Sequence, residues 1–138
     1  MRTLTIIAVL TALLLGLACQ SHNPLIDHLS QSDRALIEVT KVKSAEQAFR
    51  LRFARYGTLD EIGPNGRKLM GEDLAGGSHW GYHFNLDLTD AGYSLMATPT
   101  EAGGASHKSY YCDETGVVRW ALGPGPAAAD SATIEVVR

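Results

Sequence analysis

The sequence predicts an α+β domain in which one long amino-terminal helix packs on a four-stranded antiparallel meander sheet. Three observations predict it: apolar residues recur every three or four positions between residues 30 and 56, apolar and polar residues alternate over residues 80–88, and glycine-containing turns separate the later strand-like runs. A helix with one apolar stripe and a sheet with one apolar face can cover each other. We therefore expect them to share a single core.

The amino terminus has the features of an export signal. Arg2 provides a positive start, and residues 4–17 form an uncharged apolar run. This run is shorter than the roughly 20 residues that a membrane-spanning helix needs. Residues 1–18 are therefore predicted to be a signal peptide, and residues 19–29 a tether to the folded domain.

The stretch Leu15–Cys19 resembles a bacterial lipobox, with Gly16 at the position where leucine is usual. The resemblance implies cleavage before Cys19 and lipid attachment to its thiol, and several acyl chains together anchor a protein stably. Gln20 is not an aspartate, which by the sorting rules of diderm bacteria implies the outer membrane. An ordinary secretory signal peptide is the alternative.

The cysteine count agrees with lipid attachment. The chain has two cysteines, and if Cys19 carries lipid, Cys112 has no intramolecular partner. Its position in the apolar run 110–112 predicts a buried small hydrophobe. A disulfide between the two would require an uncleaved amino terminus pinned to the sheet, so we disfavour it.

The charge balance argues against nucleic acid as a partner. The full chain has 12 basic and 15 acidic residues, and loss of residues 1–18 removes only Arg2, which leaves 11 − 15 = −4. Basic residues concentrate between residues 34 and 55. We interpret them as a solvated helix face that complements the helix dipole, with a partner-binding or membrane-binding surface as the alternative.

The predicted helix has candidate signals at both ends. Asn23 and Ser32 are the candidate N-caps, and Gly57 is expected to end the helix. Glu46 stands four residues before Arg50, the favourable order for a helical ion pair. The apolar stripe comprises Ala35, Val39, Val42, Ala45, Phe49, Phe53 and Tyr56.

A meander is predicted after a loop-rich stretch, residues 57–79, in which residues 68–74 are a candidate short helix. The turns are expected at Thr89–Gly92 and Asp113–Gly116. Residues 123–138 are predicted to be a flexible tail, with a candidate edge strand at residues 133–137. The four predicted strands are residues 80–88, 93–98, 108–112 and 117–122, and the folded domain is residues 30–122.

Alternation on the first strand predicts which side chains face the helix. Residues 80, 82, 84, 86 and 88 share one face, so Trp80 and Tyr82 are expected to be covered. We also expect Phe49 and Phe53 to lie against Tyr82 and Phe84.

Several segments in this order resemble the globular part of type IV pilins and of type II secretion pseudopilins. The resemblance covers about residues 35–120 and implies a pilin-like fold, an envelope location and protein partners in a secretion or pilus system. The amino terminus departs from that family, because the apolar run is short, lacks a glutamate and ends in a cysteine. The segments are Ser44–Phe49, Tyr56–Gly63, Gly81–Phe84, Ala97–Pro99 and Ser109–Arg119.

Motifs for catalysis or metal binding are not recognised, so we expect no enzyme, no catalytic residues, no cofactor and no metal. His79 and His83 would share the polar face of one strand but lie about 13 Å apart, too far to bind one ion. The glycine pairs lack the lysine and hydroxyl of a phosphate loop. The acidic residues around the loop are interpreted as solvated: Asp60, Glu61, Glu72 and Asp73.

The leading hypothesis is a non-enzymatic, lipid-anchored cell-envelope protein whose domain acts as a structural or interaction module, located at the outer membrane. One alternative is a minor pseudopilin of a type II secretion or type IV pilus system. Another is a small periplasmic ligand-binding module that uses exposed aromatic residues. The candidates for that role are Trp80, Tyr82, Tyr93 and Trp120.

Overall fold

The protein is seen here as a computed structural model that describes residues 29–76, 78–101, 107–123 and 125–134. The predicted signal peptide, the predicted lipid-attachment residue Cys19 and the candidate N-cap Asn23 lie outside the described residues. Within the described residues, none of the helices combines the length and apolar character needed to cross a membrane.

The fold is α+β, as predicted, but the sheet formed by the described residues has six strands rather than four. The strands lie in chain order across the sheet, and each pairs antiparallel with the next. The two additional strands are two residues long, too short to show a hydrophobic period. The elements are α1 Gln31–Phe53, α2 Leu59–Ile62, β1 Ser78–His79, β2 Tyr82–Leu88, β3 Tyr93–Pro99, β4 Lys108–Asp113, β5 Val118–Leu122 and β6 Ala132–Thr133.

Helix α1 begins with a capping box at Ser30. The Ser30 hydroxyl accepts a hydrogen bond from the Asp33 N–H at 3.1 Å, and the Asp33 carboxylate accepts one from the Ser30 N–H at 3.3 Å. The prediction of Ser32 as N-cap is wrong by two residues. Ser32 lies inside the first turn, where its hydroxyl is 2.9 Å from the hydroxyl of Tyr82.

Helix α1 ends earlier than predicted, at Phe53, with Ala54 in the left-handed region at φ 57°. Gly57 does not end the helix. A Cβ at Gly57 would lie 3.1 Å from Ile62 and 3.2 Å from Phe49, so the glycine allows the returning chain to approach the core closely.

Helix α1 packs mainly on β4 and less on β3. At the start of the helix, Ser32 in the first turn contacts Tyr82. Just beyond the end of the helix, the ring of Tyr56 packs on that of Tyr93, with 5.0 Å between the ring centres. The two apolar faces therefore share one core, as predicted. The expected contact of the helix phenylalanines with Tyr82 is wrong, because Phe49 lies about 25 Å along the helix from Ser32.

The core between α1 and the sheet is apolar with a polar edge at Tyr82. Its hydroxyl, on a fully buried side chain, also donates to the Lys108 carbonyl at 2.7 Å. The largest fully buried apolar or aromatic side chains of the core are Tyr82, Tyr110, Phe49, Ile62, Leu74, Leu95, Val39 and Val42.

Cys112 is fully buried on the core face of β4, which confirms the prediction for this residue. Its sulfur is 3.8 Å from the Tyr93 hydroxyl, and burial raises the pKa of the thiol. The side chain therefore behaves as a small core hydrophobe.

The loop after α1 differs from the prediction of a helix at residues 68–74. The helical turn is α2, which Thr58 caps by accepting from the Glu61 N–H at 3.2 Å. The chain then returns to α2, since Leu69 and Met70 donate to the Ile62 carbonyl at 3.0 and 3.1 Å. Residues 68–74 therefore form bends and irregular structure bonded to α2, so the predicted helix is wrong.

The described part of the predicted flexible tail, residues 125–134, lies against the sheet. Ser109 donates to the Gly125 carbonyl at 2.9 Å, and Ala127 is 1% exposed. The edge strand forms at residues 132–133 and pairs with β5.

Glu46 does not pair with Arg50 as predicted. Its side chain is fully buried, and one carboxylate oxygen accepts from the Gly57 N–H at 3.0 Å. Arg50 instead donates to the Tyr56 hydroxyl at 2.7 Å. Glu46 therefore fastens the chain that leaves α1 back onto the helix.

The Glu46 carboxyl makes stability depend on pH. Burial raises its pKa from 4.5 to about 7, opposed by the hydrogen bond from Gly57. The pKa of Glu46 is therefore higher in the folded than in the unfolded state. The contribution of Glu46 to the free energy of unfolding is fully present below about pH 4.5 and is lost as the pH rises through 7.

We expect Glu46→Gln to remove most of this pH dependence, because the amide keeps an oxygen for the Gly57 N–H and cannot ionise. The free energy of unfolding of the variant relative to the wild type should rise by about 3 kcal/mol from pH 4.5 to pH 8.5, measured by urea denaturation. Glu101→Gln, at an exposed site, is the control. A wild-type-to-variant difference that is constant with pH would contradict the assignment.

Candidate functional site

The connection between β1 and β2 places a tryptophan where the backbone disfavours it. His79 pairs with Tyr82, so Trp80 and Gly81 form a two-residue hairpin loop, with φ 53° and 75°. Turns with two positive φ values usually carry asparagine, aspartate or glycine. A left-handed conformation costs a residue such as tryptophan roughly 1–2 kcal/mol.

Trp80 is only partly covered by the helix, which corrects the prediction from alternation. The turn removes it from the strand, and it is 40% exposed. The Arg34 guanidinium lies 4.5 Å from the centre of its ring, and the His79 ring lies 5.1 Å away. Ile37 on α1, 39% exposed, adds a second exposed apolar side chain nearby.

A small cavity of about 50 Å³ lies beside Trp80, between α1 and the loop that precedes β1. We call it the charged pocket. It is large enough for one or two water molecules or a single polar group of a ligand. Its lining residues are Arg34, Ile37, Glu38, Lys41, Glu72 and Trp80.

Lys41 joins the two acidic residues of the charged pocket. Its ammonium is 3.0 Å from Glu38 and 2.9 Å from Glu72. Burial raises the pKa of Glu38, which is 3% exposed, although Lys41 opposes the shift. Burial also tends to raise the pKa of Glu72, but Glu72 is more exposed to water than Glu38. Its bond to Lys41 has the opposite effect, and the pKa of Glu72 is lowered overall.

Three polar atoms near Trp80 are buried and have no hydrogen-bond partner among the described residues. They are Arg34 Nε, Glu38 Oε2 and His79 Nε2. Each such group costs about 1–3 kcal/mol when it is left unpaired. In native proteins most buried polar groups bind protein, water or a ligand, so this group of atoms indicates a place for an additional molecule.

The two neighbouring histidines lie on opposite faces of the sheet. His79 is opposite the buried Tyr82 and shares its face, whereas His83 is opposite Ser78 and is exposed. The prediction that they share the polar face is therefore wrong. The part of the chain that the structure describes contains no group of three or more residues arranged to hold a metal ion.

The predicted solvated acids do not come together in the structure, and some are engaged. Glu61 accepts from Arg55 and from the Thr58 N–H, and the first of these bonds is the main reason why its pKa falls to about 2. Asp73 accepts from backbone N–H groups of its own turn. These carboxylates cap and fasten loops.

Several basic residues of α1 do not simply face solvent, as the sequence suggested, but contact other parts of the fold. Lys43 donates to the Gly116 carbonyl at 3.3 Å, at the tip of the β4–β5 turn. Arg34 contacts the β1–β2 turn, Lys41 contacts the loop that precedes β1, and Arg50 contacts the segment that follows α1. With the bond from Lys43, these contacts join α1 to four loops and turns.

A larger open cleft of about 370 Å³ lies at the other end of α1. The helix end, Arg55 and the β2–β3 turn line it. Leu51, 90% exposed, lies on the adjoining helix surface. The arginines at this cleft already donate to Tyr56 and Glu61, so it is less suited than the charged pocket to hold a ligand.

Comparison of the chain with protein-family models, with curated proteins and with solved structures found no match in any of the three. The candidate site therefore depends on geometry and chemistry alone.

Sequence reasoning missed the charged pocket for two reasons. The alternation of residues 80–88 concealed the turn, although Gly81 inside a strand-like run was a signal for a bend or a close approach. Glu72 comes 31 residues after Lys41 in the chain. Helical periodicity does not report a pairing between such distant positions.

We expect Lys41→Met to lose stability mainly at high pH. Without the ammonium, Glu38 and Glu72 would share a desolvated site, so their folded-state pKa values would rise and ionisation would oppose folding. The variant should be about 1–2 kcal/mol less stable than the wild type at pH 8 and close to it at pH 5, measured by urea denaturation.

Lys43→Met is the matched control, because Lys43 lies on the same helix and bonds a carbonyl rather than a carboxylate. Its effect should be small and independent of pH. Equal effects of Lys41→Met at pH 5 and pH 8 would show that the two carboxylates are not coupled through Lys41.

Proposed function

We propose that this chain is a non-enzymatic, lipid-anchored protein of the cell envelope whose pilin-like domain acts as a structural or interaction module at the outer membrane. The observation that carries the proposal is the stretch Leu15–Cys19, which resembles a lipobox directly before a cysteine. A thiol bearing acyl chains would hold the domain at a membrane.

The position of the second cysteine supports this role for Cys19. Cys112 is fully buried against Tyr93 in the core, and the chain contains only these two cysteines. A disulfide would require Cys112 to leave the core, whereas lipid attachment uses Cys19 and leaves Cys112 in place.

The arrangement of the domain supports the pilin-like part of the proposal. A long helix precedes an antiparallel meander and covers one of its faces, the order that the pilin resemblance implies. The capping box at Ser30 begins the domain eleven residues after Cys19 in the sequence, so the lipid would be linked to the amino-terminal end of α1.

We expect the chain, produced in a diderm bacterium fed radiolabelled palmitate, to incorporate label and to fractionate with the outer membrane. Cys19→Ala should abolish labelling and release the protein, because the thiol is the attachment point. Cys112→Ala is the matched control and should be labelled like the wild type. Equal membrane fractionation of Cys19→Ala and the wild type, without label in either, would refute the anchor.

A second candidate function is a small ligand-binding module, and the exposure of Trp80 favours it. Of the four aromatic residues considered, Tyr82 and Tyr93 are at most 2% exposed. Trp80 alone is exposed and lies beside a pocket with unpaired polar atoms. Such a module is compatible with a lipid anchor at Cys19.

A further inference from the structure

We propose that the charged pocket binds a neutral carbohydrate, with one sugar hydroxyl between Glu38 and Arg34 and the sugar ring on the indole of Trp80. This inference rests on the second candidate function and names its ligand class.

The unpaired atoms define the hydrogen bonds that a ligand must supply. Glu38 Oε2 needs a donor and Arg34 Nε needs an acceptor, while His79 Nε2 can take either role according to its tautomer. A hydroxyl group both donates and accepts. One hydroxyl can therefore satisfy Glu38 and Arg34 together, and it fits a volume of about 50 Å³.

The charges of the pocket favour a neutral ligand. Lys41 contacts both carboxylates at 3.0 Å or less, so a second cation would compete with an ammonium already in place. An anion would meet Glu38 and Glu72. The Arg34 guanidinium already lies over the indole, so a cationic ligand would meet a like charge there, whereas a neutral sugar ring can use the exposed part of the indole.

The mouth of the pocket provides a surface for the rest of the ligand. Trp80 and Ile37 are 40% and 39% exposed and present apolar area next to the polar atoms. A sugar has the matching character, because its C–H groups pack on an aromatic ring while its hydroxyls hydrogen-bond at the edge. A few polar groups within an apolar surround are typical of ligand sites.

Access requires a movement of Trp80, because the three unpaired atoms are closed to solvent. The indole contacts Arg34 and His79 from a hairpin turn at the end of the sheet. Rotation of this side chain would uncover Glu38 and leave the strand pairing intact. The unfavourable backbone conformation of Trp80 is consistent with a residue retained for binding.

The test is titration of the purified full chain in detergent with maltotriose, cellotriose and chitotriose, followed by saturation-transfer NMR and tryptophan fluorescence. At least one trisaccharide should bind. Trp80→Ala and Glu38→Met should each weaken its binding about tenfold or more, because they remove the platform and the acceptor.

Trp120→Phe serves as the control, because Trp120 lies outside the charged pocket. It should bind like the wild type, and it leaves Trp80 as the single tryptophan, so its fluorescence reports on the pocket. Unchanged circular dichroism will show that the weakened variants are folded.

Two results would overturn the inference. Failure of all three trisaccharides to bind would mean that the pocket holds ordered water only. Equal affinity of Trp80→Ala and the wild type would place the sugar elsewhere. Neither result bears on the lipid anchor, which palmitate labelling tests separately.

Discussion

The packing of α1 on one face of the sheet is the contact on which the other features depend. Val39, Val42 and Phe49 belong to the buried face of the helix, and Leu95 and Cys112 to the facing side of the sheet. Burial of apolar area of this kind is the main source of stability. Polar side chains along the same helix then fix the surrounding loops, so the helix positions both the core and the charged pocket.

Two buried glutamates on α1 show how similar residues serve different ends. Glu46 has one oxygen bonded to the Gly57 N–H and holds the chain where it leaves the helix, while its other oxygen is buried without a partner among the described residues. Glu38 shares Lys41 with Glu72 and keeps its second oxygen unpaired beside Trp80 and an open cavity. An unpaired buried oxygen lowers stability at both glutamates. The unpaired oxygen of Glu38 belongs to a residue that lines the charged pocket, where another molecule could bind it.

The features of the fold that depend on the spacing of apolar residues could be predicted from the sequence. The α+β class, the long helix and the central strands follow from apolar spacing, and the turn at Gly116 follows from its residues. Alternation fails at Trp80, because a two-residue hairpin interrupts a run that looks like one strand. The early end of the helix at Ala54 and the burial of Glu46 depend on contacts that form only when Gly57 returns to the core, so no local signal reports them.

If the charged pocket is kept for binding rather than for folding, removal of its buried carboxylate should not weaken the fold. The direct measurement is the free energy of unfolding of Glu38→Met without ligand at pH 8. Methionine has a similar length and no unpaired oxygen, and Lys41 keeps Glu72 as its partner. We predict a stability equal to or above that of the wild type. A loss of more than about 1 kcal/mol would show that Glu38 is part of the structural framework and would contradict the account.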